Sequence, residues 1–258
     1  MAVVYVDPTD PGLREEQPTP PGLARAVQLL RAGGLVAFPT ETVYGLGADA
    51  RAAAAVARIF AAKARPVDNP LIVHVADASG LESVAASVPP LAARLAQRWW
   101  PGPLTLVVDA ASDLPKETTG GLSTVAVRVP AHPVALALVR AAGLPIAAPS
   151  ANRSGRPSPT TAAHVVADLG DAVELVVDAG PCQVGVESTV VDARGDAPRV
   201  LRDGAVTREQ LGLPDGTVGP QAAASVASPG TRYRHYAPAC DVALAPPRGG
   251  PALAAVLA

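Results

Sequence analysis

Groups of hydroxyl, carboxyl and basic side chains follow several short apolar runs in this chain. PTETVYGLG (39–47) follows one such run, APSANRSGRPSPT (148–160) another, and GVESTVVD (185–192) and VLRDG (200–204) repeat the arrangement. Hydroxyls and cations complement phosphate oxygens, and an arginine fork can bind a carboxylate. No pair of carboxylates suited to acid–base catalysis is evident. The residues predict a site for a polyphosphate and a small zwitterion, acting by positioning and electrostatics rather than through a protein nucleophile.

The basic residue that points most clearly to a ligand is Arg128, inside the apolar run LSTVAVRVP (122–130). Alternation along a strand places Thr124, Ala126 and Arg128 on one face. Arginine is rarely buried unless it meets an anion. We therefore expect replacement of Arg128 to weaken ligand binding strongly, with a modest loss of stability.

The other candidates have plain structural alternatives. PTETVYGLG could be a capped turn, with Gly45 and Gly47 allowing close approach of a ligand to the backbone. Lys63 could be a cation that complements the end of a helix. His74, taken alone, fits a hydrogen-bonded core histidine more readily than a ligand contact.

Standard catalytic motifs are absent from the sequence. It has no GxxxxGK[ST], HExxH or GxSxG, and Pro39 interrupts the strand that should precede the weak dinucleotide-like run 45–50. The histidines and the two cysteines, Cys182 and Cys240, lack the spacing of metal ligands. We predict no protein-held metal, and Mg2+ would arrive with a nucleotide.

Composition indicates a folded protein of a reducing compartment. Of 258 residues, 49% are apolar, and the net charge of −2 gives no global basic field for nucleic acid. The start of the chain does not resemble a signal peptide, and the apolar stretch 134–148 is interrupted by Arg140, Gly143 and Pro145. We expect a cytoplasmic protein without membrane contact.

Alternating helix and strand patterns run from residue 20 to about 205 and predict an α/β fold. The expected helices are 23–32, 49–64 (capped by Asp49), 91–100, 134–142 and 161–169. The expected strands are 35–38, 71–75, 104–108, 124–129, 146–148, 174–178, 188–192 and 199–202. The late strands are too close in sequence for helical crossovers each time, so we expect a mixed sheet.

Composition also divides the chain. We assign 1–211 to a catalytic domain, 212–240 to a Gly/Pro-rich linker ending in SPGTRYRHYAP (228–238), and 241–258 to a remnant too short for a second domain.

Taken together, the motifs resemble those of the YrdC-type family, and specifically its threonylcarbamoyl-AMP synthases. The resemblance covers residues 23–238. It includes, besides the segments above, KARPVDNPLIVHV (63–75), WWPGPLTLVV (99–108) and SPGTRYRHYAP.

This resemblance implies a YrdC-like twisted mixed β-sheet flanked by helices and enclosing a large basic concave cavity. The implied reaction joins L-threonine, bicarbonate or CO2 and ATP, with Mg2+, into threonylcarbamoyl-AMP and releases pyrophosphate. The product would pass to the tRNA threonylcarbamoyl transferase machinery that modifies adenosine 37, with a possible weak tRNA contact.

The resemblance also assigns residues. The expected threonine ligands are Thr42, His74, Arg128, Ser188 and the backbone at Ala148. The expected ATP contacts are Arg65, Asn69, Thr124, Ser150, Ser158, Arg202 and Tyr236. Lys63, Arg65 and Arg128 would carry the catalytic charge, and Tyr236 would fold over the cavity as part of a lid.

One departure from the family is the short tail, since longer members continue past the linker into a further domain; this puts the anchoring of Tyr236 in doubt. Two other functions stay open at this point. A YrdC-type domain could be a binding module for tRNA or double-stranded RNA, or it could form a carbamoyl-adenylate as part of a carbamoyl transferase. The latter proteins usually carry acylphosphatase-like or zinc-finger segments, which this sequence does not show.

Overall fold

The computed structural model describes residues 1–14 and 19–213, and within them ten strands form a single sheet. The strands are β1 (Ala2–Tyr5), β2 (Val36–Pro39), β3 (Tyr44–Asp49), β4 (Ile72–His74), β5 (Leu104–Asp109), β6 (Thr124–Arg128), β7 (Ile146–Ala147), β8 (Leu175–Asp178), β9 (Thr189–Asp192) and β10 (Arg199–Arg202). Their order across the sheet is β1-β8-β2-β3-β7-β4-β6-β5-β9-β10.

The sheet is mixed, which confirms the prediction from strand spacing. The neighbours β1–β8, β2–β8, β4–β6 and β5–β9 are parallel, and the other neighbouring pairs are antiparallel. In the parallel pair β4–β6, His74 lies opposite Arg128. This register places both side chains at the same end of adjacent strands.

Helices cover both faces of the sheet. The α-helices of the described chain are α1 (Ala24–Arg31), α2 (Ala53–Lys63), α3 (Pro90–Trp99), α4 (Lys116–Thr119), α5 (Pro133–Ala142) and α6 (Ala162–Leu169). Short 3-10 helices span Pro11–Arg14, Pro21–Leu23, Ala78–Ser83 and Gly170–Ala172. Residues of α1 and α5 pack in one apolar core with alternate residues of β2 and β8, and residues of α2, α3 and α6 pack in the core of the opposite face.

Alternation along β6 follows the prediction. Val125 and Val127 pack into the large core with α2 and α3. Ala126 points to the other face, where it joins a small apolar cluster that includes Ile72 and Leu201. Arg128 therefore lies on the face of Ala126, opposite His74 of the next strand.

The prediction was wrong at three places before residue 65. It missed β1 (AVVY), which is only four residues long. It also missed β3, because YGLGAD contains two glycines and no β-branched residue, so little in its composition indicates a strand. Asp49 ends β3 and accepts the Arg51 N–H at 2.9 Å, and α2 begins only at Ala53, so Asp49 does not cap it. At Gly47 the space that a Cβ would occupy is taken by Phe38 and Ile146, so this glycine serves packing rather than approach of a ligand.

Candidate active site

One cleft brings together most of the sequence-predicted site residues. Those that line it are Thr42, Arg65, His74, Arg128, Ala148, Ser150, Ser158, Ser188 and Arg202. The charged lining consists of four arginines, Arg65, Arg128, Arg156 and Arg202, and one carboxylate, Glu187.

The guanidinium of Arg128 contacts three other groups of the protein, although the residue also lines the cleft. It is 3% exposed, its Nε donates to the Gly102 carbonyl at 3.1 Å, and its Nη1 donates to Thr42 Oγ1 at 3.0 Å. Its Nη2 lies 2.6 Å from Glu41 Oε1 in an ion pair that is close but not aligned as a hydrogen bond. Arg128 is therefore both a core arginine and a cleft residue. Because a buried carboxylate depends on it, we now expect its replacement to cost more stability than the modest loss predicted from the sequence.

Glu41 is the residue that the sequence reasoning missed. It is 7% exposed, and its Oε2 accepts the Ala131 N–H at 3.0 Å. The signal was present in PTETVYGLG, where an acid stands between two threonines next to a buried strand. A buried carboxylate needs a cationic partner, which could have directed attention to Arg128.

His74 reaches the cleft as a buried, neutral imidazole. Burial and, to a smaller extent, the nearby Arg128 charge together lower its pKa to about 3. Its ring packs edge-on against Phe38, with ring centres 6.2 Å apart. Its Nδ1 has no hydrogen-bond partner within the described parts of the chain. His74 is thus a buried histidine of the core, with backbone hydrogen bonds to Ile72 and Ile146, that also lines the cleft. The structure is compatible with both of the alternatives considered above.

Ser188, which directly precedes β9, forms hydrogen bonds with both Thr105 and Arg202. Ser188 Oγ lies 2.7 Å from Thr105 Oγ1, and Arg202 Nη2 donates to the Ser188 carbonyl at 2.7 Å. Ser158 Oγ donates to the neighbouring Glu187 carboxylate. The bond between Ser158 and Glu187 joins the PSPT and ESTVVD segments at the cleft.

The side chain of Lys63 contacts and supports the loop 150–152. It is 1% exposed, and its Nζ donates to the backbone carbonyls of Ser150 and Asn152. Burial lowers the pKa of its amine well below the ordinary value. A cation that only complements a helix end would lie in solvent, so that alternative is excluded. Arg65, two residues later, lines the cleft and donates to the Pro70 carbonyl at 3.0 Å.

Not every predicted site residue reaches the cleft. Lys63, Asn69 and Thr124 are buried but absent from its lining. Tyr236 lies outside the described residues, as do nearly all of the linker 212–240 and the whole of segment 241–258. Within residues 1–14 and 19–213, no group of three or more His, Cys, Asp and Glu residues could hold a metal, and no helix is long and apolar enough to cross a membrane.

Comparison with known proteins gives consistent matches. The family model described as telomere recombination, which groups Sua5, YciO and YrdC, matches residues 28–204. A Bacillus subtilis protein named threonylcarbamoyl-AMP synthase is 49% identical over 93% of this chain and 70% of its own length. A Pyrococcus abyssi protein of the same name is 49% identical over 84% of this chain and 66% of its own length. The chain thus spans about two thirds of these relatives.

The fold matches as well as the sequence. The crystal structure of P. abyssi Sua5 complexed with L-threonine superposes with a TM-score of 0.81 at 45% identity, covering 93% of this chain and 69% of that one. The family model covers well over half of the chain, and the cleft is lined by the motifs that carry the resemblance. The chain therefore belongs to the YrdC-type family of threonylcarbamoyl-AMP synthases.

Proposed function

We propose that the chain synthesises L-threonylcarbamoyl-AMP from L-threonine, bicarbonate or CO2 and ATP, for modification of adenosine 37 of tRNA. The observation that carries the proposal is the set of family motifs around one cleft, with Arg128, His74, Thr42 and Ser188 among its lining residues. Relatives at 44–49% identity bear the name of this activity.

Threonine fits the part of the cleft around Arg128. The guanidinium can bind the amino-acid carboxylate, since arginine forks match carboxylate geometry. The unpaired Nδ1 of the neutral His74 offers a partner for the ammonium or hydroxyl group. Thr42, whose hydroxyl lies beside Arg128, adds a further polar contact.

ATP fits the remaining lining, where Arg65, Arg156 and Arg202 stand beside the hydroxyls of Ser150 and Ser158. Cations and hydroxyls of this kind hold phosphates. Mg2+ belongs to this substrate and would enter with it, neutralising charge on the phosphates. Lys63 acts indirectly in this scheme, because it fixes the loop that presents Ser150.

The reaction has two steps. The threonine amine attacks CO2, a C–N bond forms, and the amine proton passes to solvent, leaving a carbamate. A carbamate oxygen then attacks the α-phosphorus, and the bond to the pyrophosphate oxygen breaks as pyrophosphate leaves in line. The residues of the cleft orient the two substrates and oppose the developing negative charge.

The test is detection of the product by mass spectrometry after incubation with MgATP, L-threonine and 13C-labelled bicarbonate. An adenylate that contains both threonine and the label supports the proposal. A labelled adenylate that forms equally well without threonine contradicts it. An adenylate that forms from ATP only when carbamoyl phosphate is supplied, and without threonine, favours carbamoyl-adenylate chemistry.

A further inference from the structure

A buried carboxylate stands directly behind the arginine of the proposed threonine site. Glu41 does not line the cleft, but its Oε1 lies 2.6 Å from Arg128 Nη2. Its side chain is 9% exposed and that of Arg128 only 4%. In such a poorly solvated setting, each charge depends strongly on the other.

Three hydrogen bonds also fix Glu41 and the neighbouring Thr42 in place. Its Oε2 accepts the Ala131 N–H at 3.0 Å, and its backbone carbonyl accepts the Val184 N–H at 2.9 Å. The next carbonyl, that of Thr42, accepts the Gly185 N–H at 3.0 Å. The backbone at Glu41 is therefore fixed by one loop and its carboxylate by another, and the carboxylate cannot turn away from Arg128 without breaking its bond to Ala131.

The charges around Arg128 cancel. The guanidinium and the Glu41 carboxylate form a neutral pair, and His74 is uncharged because burial, together with the Arg128 charge, lowers its pKa to about 3. A neutral subsite suits a zwitterion, whereas an arginine without a counter-charge attracts any anion.

Resting on the function proposed above, we propose that Glu41 is a positioning residue that aims Arg128 and cancels its charge, so that this end of the cleft selects a zwitterionic amino acid over phosphate-like anions. The selection matters because the same cleft must hold polyphosphate. An uncompensated Arg128 would bind phosphate groups where the amino acid belongs.

The test measures the KM for L-threonine of the full chain with and without inorganic phosphate, at constant ionic strength. In Glu41→Gln the amide oxygen can still contact Arg128, but the negative charge is gone. We expect phosphate to act as a competitive inhibitor of this variant and to raise its threonine KM at least tenfold, which corresponds to about 1.4 kcal/mol of threonine binding. In the wild type, we expect phosphate to leave the threonine KM unchanged within about twofold.

Asp192→Asn is the matched control. Asp192 is also a buried acid, 7% exposed, and it pairs with Arg194 and Arg199 at the far end of β9. A variant that only loses stability through a broken ion pair should keep the phosphate insensitivity of the wild type. Glu41→Gln must differ from this control in selectivity, not only in stability.

Glu41→Asp keeps the charge but draws the carboxylate back from Arg128. We expect its threonine KM to rise at least threefold while phosphate still has no effect. If Glu41→Gln does not fold, an unchanged threonine KM in Glu41→Asp overturns the inference; in a folded Glu41→Gln, absence of phosphate competition does so. If the wild type itself shows no threonine-dependent turnover, the proposed function fails instead, and the two failures are distinguishable.

Discussion

Replacement of Arg128 by methionine tests the double role of this residue in the core and in the cleft. Methionine fills much of the same space but removes the guanidinium. The variant loses the bonds to the Gly102 carbonyl and to Thr42 Oγ1, at 3.1 and 3.0 Å, and the ion pair with Glu41. The largest consequence is that the Glu41 carboxylate stays buried without its cation.

The cost follows from that buried charge. Removing one partner of a buried ion pair destabilises a protein by about 3–5 kcal/mol. In a chain of this size, each kcal/mol lowers the Tm by about 2–4 °C, so we expect a fall of about 6–20 °C. The double variant Arg128→Met with Glu41→Gln removes both charges, which is often close to neutral. It should recover most of the lost stability but none of the threonine binding.

The assay combines thermal unfolding, followed by circular dichroism, with calorimetric titration of L-threonine. Wild type, the single variant and the double variant are compared at the same concentration and ionic strength. If the single variant unfolds within about 2 °C of the wild type, far less than the expected fall in Tm, the reasoning about Glu41 is refuted. A double variant that still binds threonine would refute the role of Arg128 in the cleft.

Other changes test the surrounding residues. The stability of the wild type should fall as the pH drops from 6.5 to about 3, because the folded state keeps the His74 imidazole neutral while the unfolded chain binds a proton. His74→Asn should make this fall less steep. Urea unfolding at several pH values measures the effect, with the exposed His164→Asn as control. Lys63→Met should cost about 1–3 kcal/mol by leaving two carbonyls unpaired, and should raise the KM for ATP. Gly204→Ala should destabilise the protein and weaken the binding of both substrates, because backbone atoms of Glu187 occupy the space of the new Cβ.

Each of these has a contradictory outcome. A pH profile of His74→Asn that matches the wild type would mean that the imidazole does not titrate as its burial implies. An unchanged KM for ATP in Lys63→Met would separate Lys63 from the nucleotide site. Gly204→Ala with wild-type stability would show that the backbone there yields easily.

Much of the fold could be predicted because it depends on local pattern. The amphipathic helix α1 and the alternation in β6 follow directly from the spacing of apolar residues. β3 could not be predicted in this way, since its Gly47 is required by the side chains of Phe38 and Ile146, which come from other strands. A contact of that kind is set by tertiary packing and leaves no periodicity in the segment itself.

The site was predictable to a similar extent. Arg128 was identified because a charge in an apolar strand needs a reason, and the family resemblance supplied most of the other lining residues. The partner of Arg128 was not identified, because Glu41 lies 87 positions earlier in the sequence and meets it only through the arrangement of the strands. The burial of Lys63 was likewise hidden, since a lysine at the end of a helix usually reaches solvent.

The most direct test of the account is the rate of pyrophosphate release from MgATP and bicarbonate as L-threonine is titrated, for the wild type and for the Arg128→Met, Glu41→Gln double variant. The account predicts saturable, threonine-dependent release by the wild type, and a folded double variant without threonine-dependent release. Release by the wild type that ignores threonine, or a double variant with the wild-type threonine dependence, would contradict it.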